Sequence, residues 1–98
     1  KSYKGEMMGK MKGTAGREKP QDCIVTVDLE RKSGIEIQLN SKMEKMFGDA
    51  IQKAIREALS EMNVKAANVK VDDFGSLDFV IKARTKTAVK RARGDLNG

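Results

Sequence analysis

The sequence predicts an α+β fold: an antiparallel four-stranded sheet in the order β-β-α-β-β, with one long amphipathic helix packed on one face and a short final helix. Three observations predict it. Apolar and polar residues alternate in two runs, 23–29 and 35–39, separated by a turn signal. Segment 43–62 repeats its apolar residues at three- and four-residue spacing, the period of a helix. Alternation then resumes at 69–71 and 77–83.

In the first run Cys23, Val25, Val27 and Leu29 alternate with Thr26 and Asp28. Arg31-Lys32-Ser33-Gly34 reads as a turn, and Ile35, Ile37 and Leu39 form a second strand. The short connection makes the two an antiparallel hairpin. Ser41 and Glu44 have the spacing of a capping box, each side chain satisfying a free N–H at a helix start. Behind them Met43, Met46, Phe47, Ala50, Ile51, Ala54, Ile55, Ala58, Leu59 and Met62 make one apolar stripe, and Asn63 is a helix stop. Val69 and Val71 begin a third strand, Asp72-Asp73-Phe74-Gly75-Ser76 is a turn, and Leu77, Phe79, Ile81 and Ala83 make a fourth. Residues 85–93 read as a short basic helix that packs Ala88, Val89 and Ala92.

Residues 1–22 hold four glycines, the single proline, Pro20, and no sustained period. They read as a flexible basic leader, with 1–6 a remnant of expression ahead of Met7 and Met8. One α+β domain follows at 23–93, and 94–98 is a tail.

The 98 residues carry a net charge of +6, with the excess at the two ends and none over 23–84. A basic chain points toward anionic partners, but charge at chain ends is usually solvated. The one cysteine, Cys23, excludes an internal disulfide, and the absence of histidine excludes Ser–His and Cys–His nucleophilic sites within this chain. No convergent acid–base pair stands out, so the chain reads as non-catalytic. No apolar run approaches the roughly 20 residues of a membrane span. A cytoplasmic setting is expected.

Cys23 follows the strand alternation and is expected to be a buried core thiol. Asp72, Asp73 and Asp78 lack the calcium-loop spacing and read as a turn whose side chains cap their own backbone, so no metal site is expected. The methionines 43, 46 and 62 are expected in the core, as are Phe47 and Phe79. Lys82, Arg84, Lys86, Lys90, Arg91 and Arg93 form a basic stretch, read as a solvated face ahead of a docking or nucleic-acid surface. With four aromatic residues in the chain, base stacking has little to work with.

Glu44-Lys45-Met46-Phe47-Gly48-Asp49-Ala50-Ile51, Asn63-Val64 and Val71-Asp72-Asp73-Phe74-Gly75-Ser76-Leu77-Asp78, followed by Ala83-Arg84, are residues of a known kind. With Ala15-Gly16 upstream, they resemble the gamma subunit of citrate lyase, its acyl carrier protein, over about residues 7–93. The resemblance implies a carrier of citrate fermentation bearing phosphoribosyl-dephospho-CoA on a serine. The arm's thiol holds acetyl, exchanges it for citryl and is re-acetylated as citrate is cleaved. It implies alpha and beta subunits, a holo-synthase and an acetate ligase as partners. The family's serine lies two residues before an aspartate, just after Ala-Gly. Here that position is Pro20, flanked by Gly16 and Asp22. Proline has no hydroxyl, so the arm is not attachable at Pro20. A divergent or inactive relative, a deliberate change and an arm placed elsewhere all fit the sequence. Two other readings remain: a small basic nucleic-acid-binding module, and a carrier-fold scaffold without a prosthetic group.

Overall fold

The computed structural model describes residues 11–42 and 44–94. The element order is β1 (Lys12–Gly16), β2 (Cys23–Asp28), β3 (Gly34–Ser41), α1 (Glu44–Glu61), β4 (Ala66–Asp73) and α2 (Asp78–Ala92). The four strands form one sheet in the order β1-β2-β4-β3. β2 pairs antiparallel with both β1 and β4, while β3 pairs parallel with β4. The sheet is therefore mixed, which corrects the antiparallel expectation.

Both helices lie on one face and pack against each other, α2 over β1 and β2 and α1 over β3. Ala15, Val25 and Val71 share one row of the inner face with Leu39, and Val27 and Val69 share the next with Ile37. These rows meet Ile51, Ile55, Leu59, Ile81 and Val89 in one core. Burial of each large aliphatic side chain there stabilises the fold by roughly 1.5–3 kcal/mol. Ile35, Ile37 and Leu39 are only half-buried, because β3 is an edge strand.

Four sequence expectations fail. β2 and β3 do not pair as a hairpin; β4 lies between them. β4 has the fully apolar inner row Ala67, Val69 and Val71, which suits the covered central position. Residues 12–16 are a strand, not part of a flexible leader. Their inward side chains are Gly13 and Ala15, too small to register as an apolar alternation. They are small because α2 lies directly on them: a Cβ on Gly13 would sit 2.1 Å from the Ala88 carbonyl oxygen.

The expected fourth strand at 77–83 is the start of α2. Its buried residues, Ile81, Thr85, Ala88, Val89 and Ala92, follow the helical period. Thr85 hides that stripe from a hydropathy reading, and its hydroxyl returns to the Ile81 carbonyl at 2.7 Å. Leu77 and Phe79 consequently face water, as do Met46 and Phe47 on the first turn of α1, so the core places expected for Met46, Phe47 and Phe79 are also wrong.

Ala50 is exposed as well, but the stripe from Ile51 onward holds, with Ile51, Ala54, Ile55, Ala58 and Leu59 buried. So does its stop. Asn63, at φ 59, lets Val64 N–H reach the Leu59 carbonyl and its own N–H reach that of Ser60, a Schellman end. Ser41 ends β3, and its hydroxyl donates to Asp73. The expectations for residues 1–10, Met43, the Glu44 side chain and residues 95–98 lie outside what is described.

Candidate functional site

One end of the domain gathers the residues of interest, and the sheet register explains why. Cys23 at the start of β2 and Ser41 at the end of β3 both pair with Asp73 at the end of β4. The β1–β2 connection, residues 17–22, therefore lies beside the β3–α1 and β4–α2 connections. Lys82 bridges to Glu57 and Glu61, and Lys86 to Glu61, so the two helices run in the same direction. Their first turns share this end with the connections. Among the described residues, the exposed large apolar side chains Met46, Phe47, Phe74, Leu77 and Phe79 are carried by those first turns and by the β4–α2 connection.

The 17–22 connection is a defined turn. Asp22 N–H donates to the Lys19 carbonyl at 3.2 Å, with Pro20 and Gln21 between them. The pyrrolidine ring holds Pro20 near φ −65°, while Gln21 sits at φ 67. That combination is a type II β-turn, which favours proline second and glycine third. Gln21 is thus held in the left-handed region, where a side chain costs about 1 kcal/mol. Gln21→Gly is expected to raise stability by about 1 kcal/mol or slightly less in urea unfolding, since glycine also loses more entropy on folding.

The turn is tied down on both sides. Gln21 N–H donates to the Phe74 carbonyl, and Phe74 N–H to that of Asp22, both at 2.9 Å. Asp22 is 3% exposed, and Arg84 of α2 grips both its oxygens, Nε to Oδ1 at 3.0 Å and Nη2 to Oδ2 at 2.8 Å. Arg84 and the Cys23 N–H, which donates to Oδ1, hold the Asp22 carboxyl below the usual carboxylate range. Gly16 opens the connection at φ 111.

Of the residues singled out from sequence, Pro20 and Asp22 fall on this connection, and Gly16 is the last residue of β1 ahead of it. Cys23 is a buried thiol as expected, and burial pushes its pKa up. Pro20 carries no hydroxyl, so a phosphodiester-linked arm does not fit at this position. Asp73 behaves as a turn residue: its Oδ1 accepts from Ser76 N–H at 2.9 Å and from Ser76 Oγ at 2.5 Å. Among the described residues no group of three acidic or thiol side chains could hold a metal ion.

The sequence reading missed Ser41 and Arg84 as site residues. Ser41 Oγ donates to Asp73 Oδ2 at 3.0 Å. Ser41 and Pro20 line one cleft of about 510 Å³, together with Lys19, Lys42, Asp73 and Phe74. No spacing signal links Asp22 to Arg84, 62 positions away.

The basic stretch of α2 is largely engaged within the chain. Lys82 and Lys86 meet the acidic end of α1, which lowers the pKa of Glu61 and raises that of Lys82. Arg84 holds Asp22, Arg91 donates to the Thr14 carbonyl at 2.8 Å, and Arg93 donates to that of Met62. No described helix is long and apolar enough to cross a membrane.

Comparison with known proteins agrees with this architecture. The acyl carrier family model described as malonate decarboxylase delta subunit (MdcD) matches residues 10–92. The citrate lyase acyl carrier protein of Streptococcus mutans is 48% identical over 83 residues, 85% of this chain and 81% of that protein. Its namesake in Halothermothrix orenii is 40% identical over 83 residues, 85% and 87% of the two chains. A chain in the crystal structure of a Pseudomonas malonate decarboxylase hetero-tetramer in complex with malonate shares the fold, with TM-score 0.64, 15% identity and 86% of each chain covered. On these matches, and on the loop framework that accompanies them, the chain belongs to the citrate lyase acyl carrier protein family.

Proposed function

We propose that this chain is the non-catalytic acyl carrier subunit of a cytoplasmic citrate lyase complex. It presents acetyl and citryl thioesters to alpha and beta subunits, and it is served by a holo-synthase and an acetate ligase. The observation that carries this reading is the carrier loop retained around position 20. Gly16 starts it, the Asp22–Arg84 pair anchors it, and the exposed apolar end surrounds it. A carrier needs a rigid base and a presented loop, so that each transfer step becomes a tethered encounter at roughly millimolar effective concentration. An apolar rim beside that loop suits transient contact with several larger subunits.

Pro20 is where this chain departs from the family, and a CoA-derived arm has no oxygen to join there. Pro20→Ser supplies one. Coexpressed with alpha and beta subunits and the holo-synthase, Pro20→Ser is expected to gain the mass of one arm at residue 20. Losing the preset φ should cost the turn up to about 1 kcal/mol. Both wild type and Pro20→Ser are expected to co-purify with the larger subunits. A chain that binds neither subunit, with a Pro20→Ser form that stays at its polypeptide mass, would sink the reading. The nucleic-acid alternative loses ground because Lys82, Arg84, Lys86, Arg91 and Arg93 of the basic stretch have partners within the chain.

A further inference from the structure

We propose that the open edge of β3 is a self-association surface whose occupant is β3 of a second copy, paired antiparallel about a two-fold axis at Ile37. The inference stands apart from the carrier reading, which concerns the loop at one end of the domain. The sheet has two edge strands, β1 and β3, and they are built differently. β1 has five residues, opens on Lys12 and includes Gly13 and Gly16. A short strand with a lysine and two glycines is a poor template for another chain. β3 has eight residues, and all of them pair with β4 in one unbroken register, from Gly34 opposite Ala66 to Ser41 opposite Asp73. It contains no proline, no lysine and no bulge. Its single charge, Glu36, lies on the face of the sheet away from the helices, and Arg31 pairs with it at 3.1 Å. Among the described residues no strand lies on the other side of β3. A long, regular edge without such guards presents a row of N–H and C=O groups on which a further strand can add.

The side chains of β3 say which strand fits. Turned about a two-fold axis through Ile37, the strand sets Ile37 against Ile37 of the second copy, Ile35 against Leu39, and Glu36 against Gln38. Ile35, Ile37 and Leu39 are only half-buried in one chain. In this register they meet the same three residues of the copy, and the apolar inner row runs on across the interface. Glu36 then faces an uncharged amide. Centring the pair on Glu36 instead would set two carboxylates against each other, which is destabilising. The same two-fold keeps the helices of both copies on one side of a continuous sheet. Because β1 is guarded, each chain offers one open edge, and pairing uses it up. The assembly therefore closes at two copies and does not grow.

The test is sedimentation equilibrium of the full chain over a wide concentration range, with cysteine cross-linking to fix the register. The apparent mass is expected to rise from the 10.8 kDa of one chain to twice that value. Directly opposed residues of an antiparallel pair have Cβ atoms about 4.5–5.5 Å apart, close to the span of a disulfide. Ile37→Cys is therefore expected to give a disulfide-linked dimer under mild oxidation. Ile35→Cys, also half-buried but opposite Leu39, should not, and neither should the wild type, whose Cys23 is buried. Sedimentation of the wild type decides association even where a variant folds poorly. A single-chain mass at every concentration overturns the proposal, as does a dimer in which the two cysteine variants cross-link alike. Amide protection along β3 that appears only with larger subunits present would assign the edge to a strand of theirs, and likewise overturns it. None of these outcomes bears on the carrier reading, which stands or falls on the Pro20→Ser experiment.

Discussion

Gly16→Ala is expected to destabilise the domain by about 3–5 kcal/mol, read as a lower urea midpoint with an unchanged slope. Two independent costs combine. At φ 111 the backbone is in a region that side chains rarely adopt. A Cβ there would also lie 1.7 Å from the Cys23 carbonyl oxygen, a backbone atom of the paired strand that cannot turn aside. Relief requires β1 and β2 to part where they lead into the turn. A domain of this size has only about 5–15 kcal/mol in total, so the substitution removes a large share of its stability. Retention of wild-type stability would show that Gly16 is not held as described.

Arg84→Met is expected to release the turn and to move acid unfolding to higher pH. In the wild type the Asp22 carboxyl titrates below its ordinary value, first because Arg84 donates to it and second because Cys23 N–H does. The pair therefore adds stability at every pH above the unfolded aspartate value of about 3.9. That contribution fades as the pH falls through the lower folded value. Without the guanidinium, Asp22, 3% exposed in the wild type, keeps only the Cys23 N–H as a partner among its recorded donors. A buried carboxylate left so poorly compensated takes up a proton more readily, and the turn lifts to rehydrate it. Amide exchange should accelerate at Gln21 and Phe74, whose N–H groups tie the turn to the segment after β4, and at Asp22, whose N–H closes the turn on Lys19. Methionine keeps much of the aliphatic stem, so the core against α2 should survive. Unchanged exchange at those amides would remove Arg84 as the anchor.

Local patterns were legible where one element's own side chains carried them. The strand alternation of 23–29 and 35–39, the buried half of the α1 stripe and the left-handed stop at Asn63 are all present in the structure. The family was legible from its motifs, and the candidate loop from Gly16, Pro20 and Asp22. What misled were segments whose inward residues are small or polar. β1 faces the core through Gly13 and Ala15, and α2 includes Thr85, so neither shows a clean period. Leu77 and Phe79 added a false alternation because they are apolar for a reason other than core burial.

By itself, the sequence determined the composition class, the long helix, three of the four strands, the family and the absence of a hydroxyl at position 20. Each of these is written in neighbouring residues, within a span that local periodicity or motif spacing can register. Only the tertiary structure decided that β4 lies between β2 and β3 and that Asp22 meets Arg84. It alone placed Ser41 across a cleft from Pro20. Those relations join residues far apart in the chain, and they are selected by burying the inner rows of the two central strands, β2 and β4, in one core with the helices. No single segment encodes that competition; it is settled when the whole core closes.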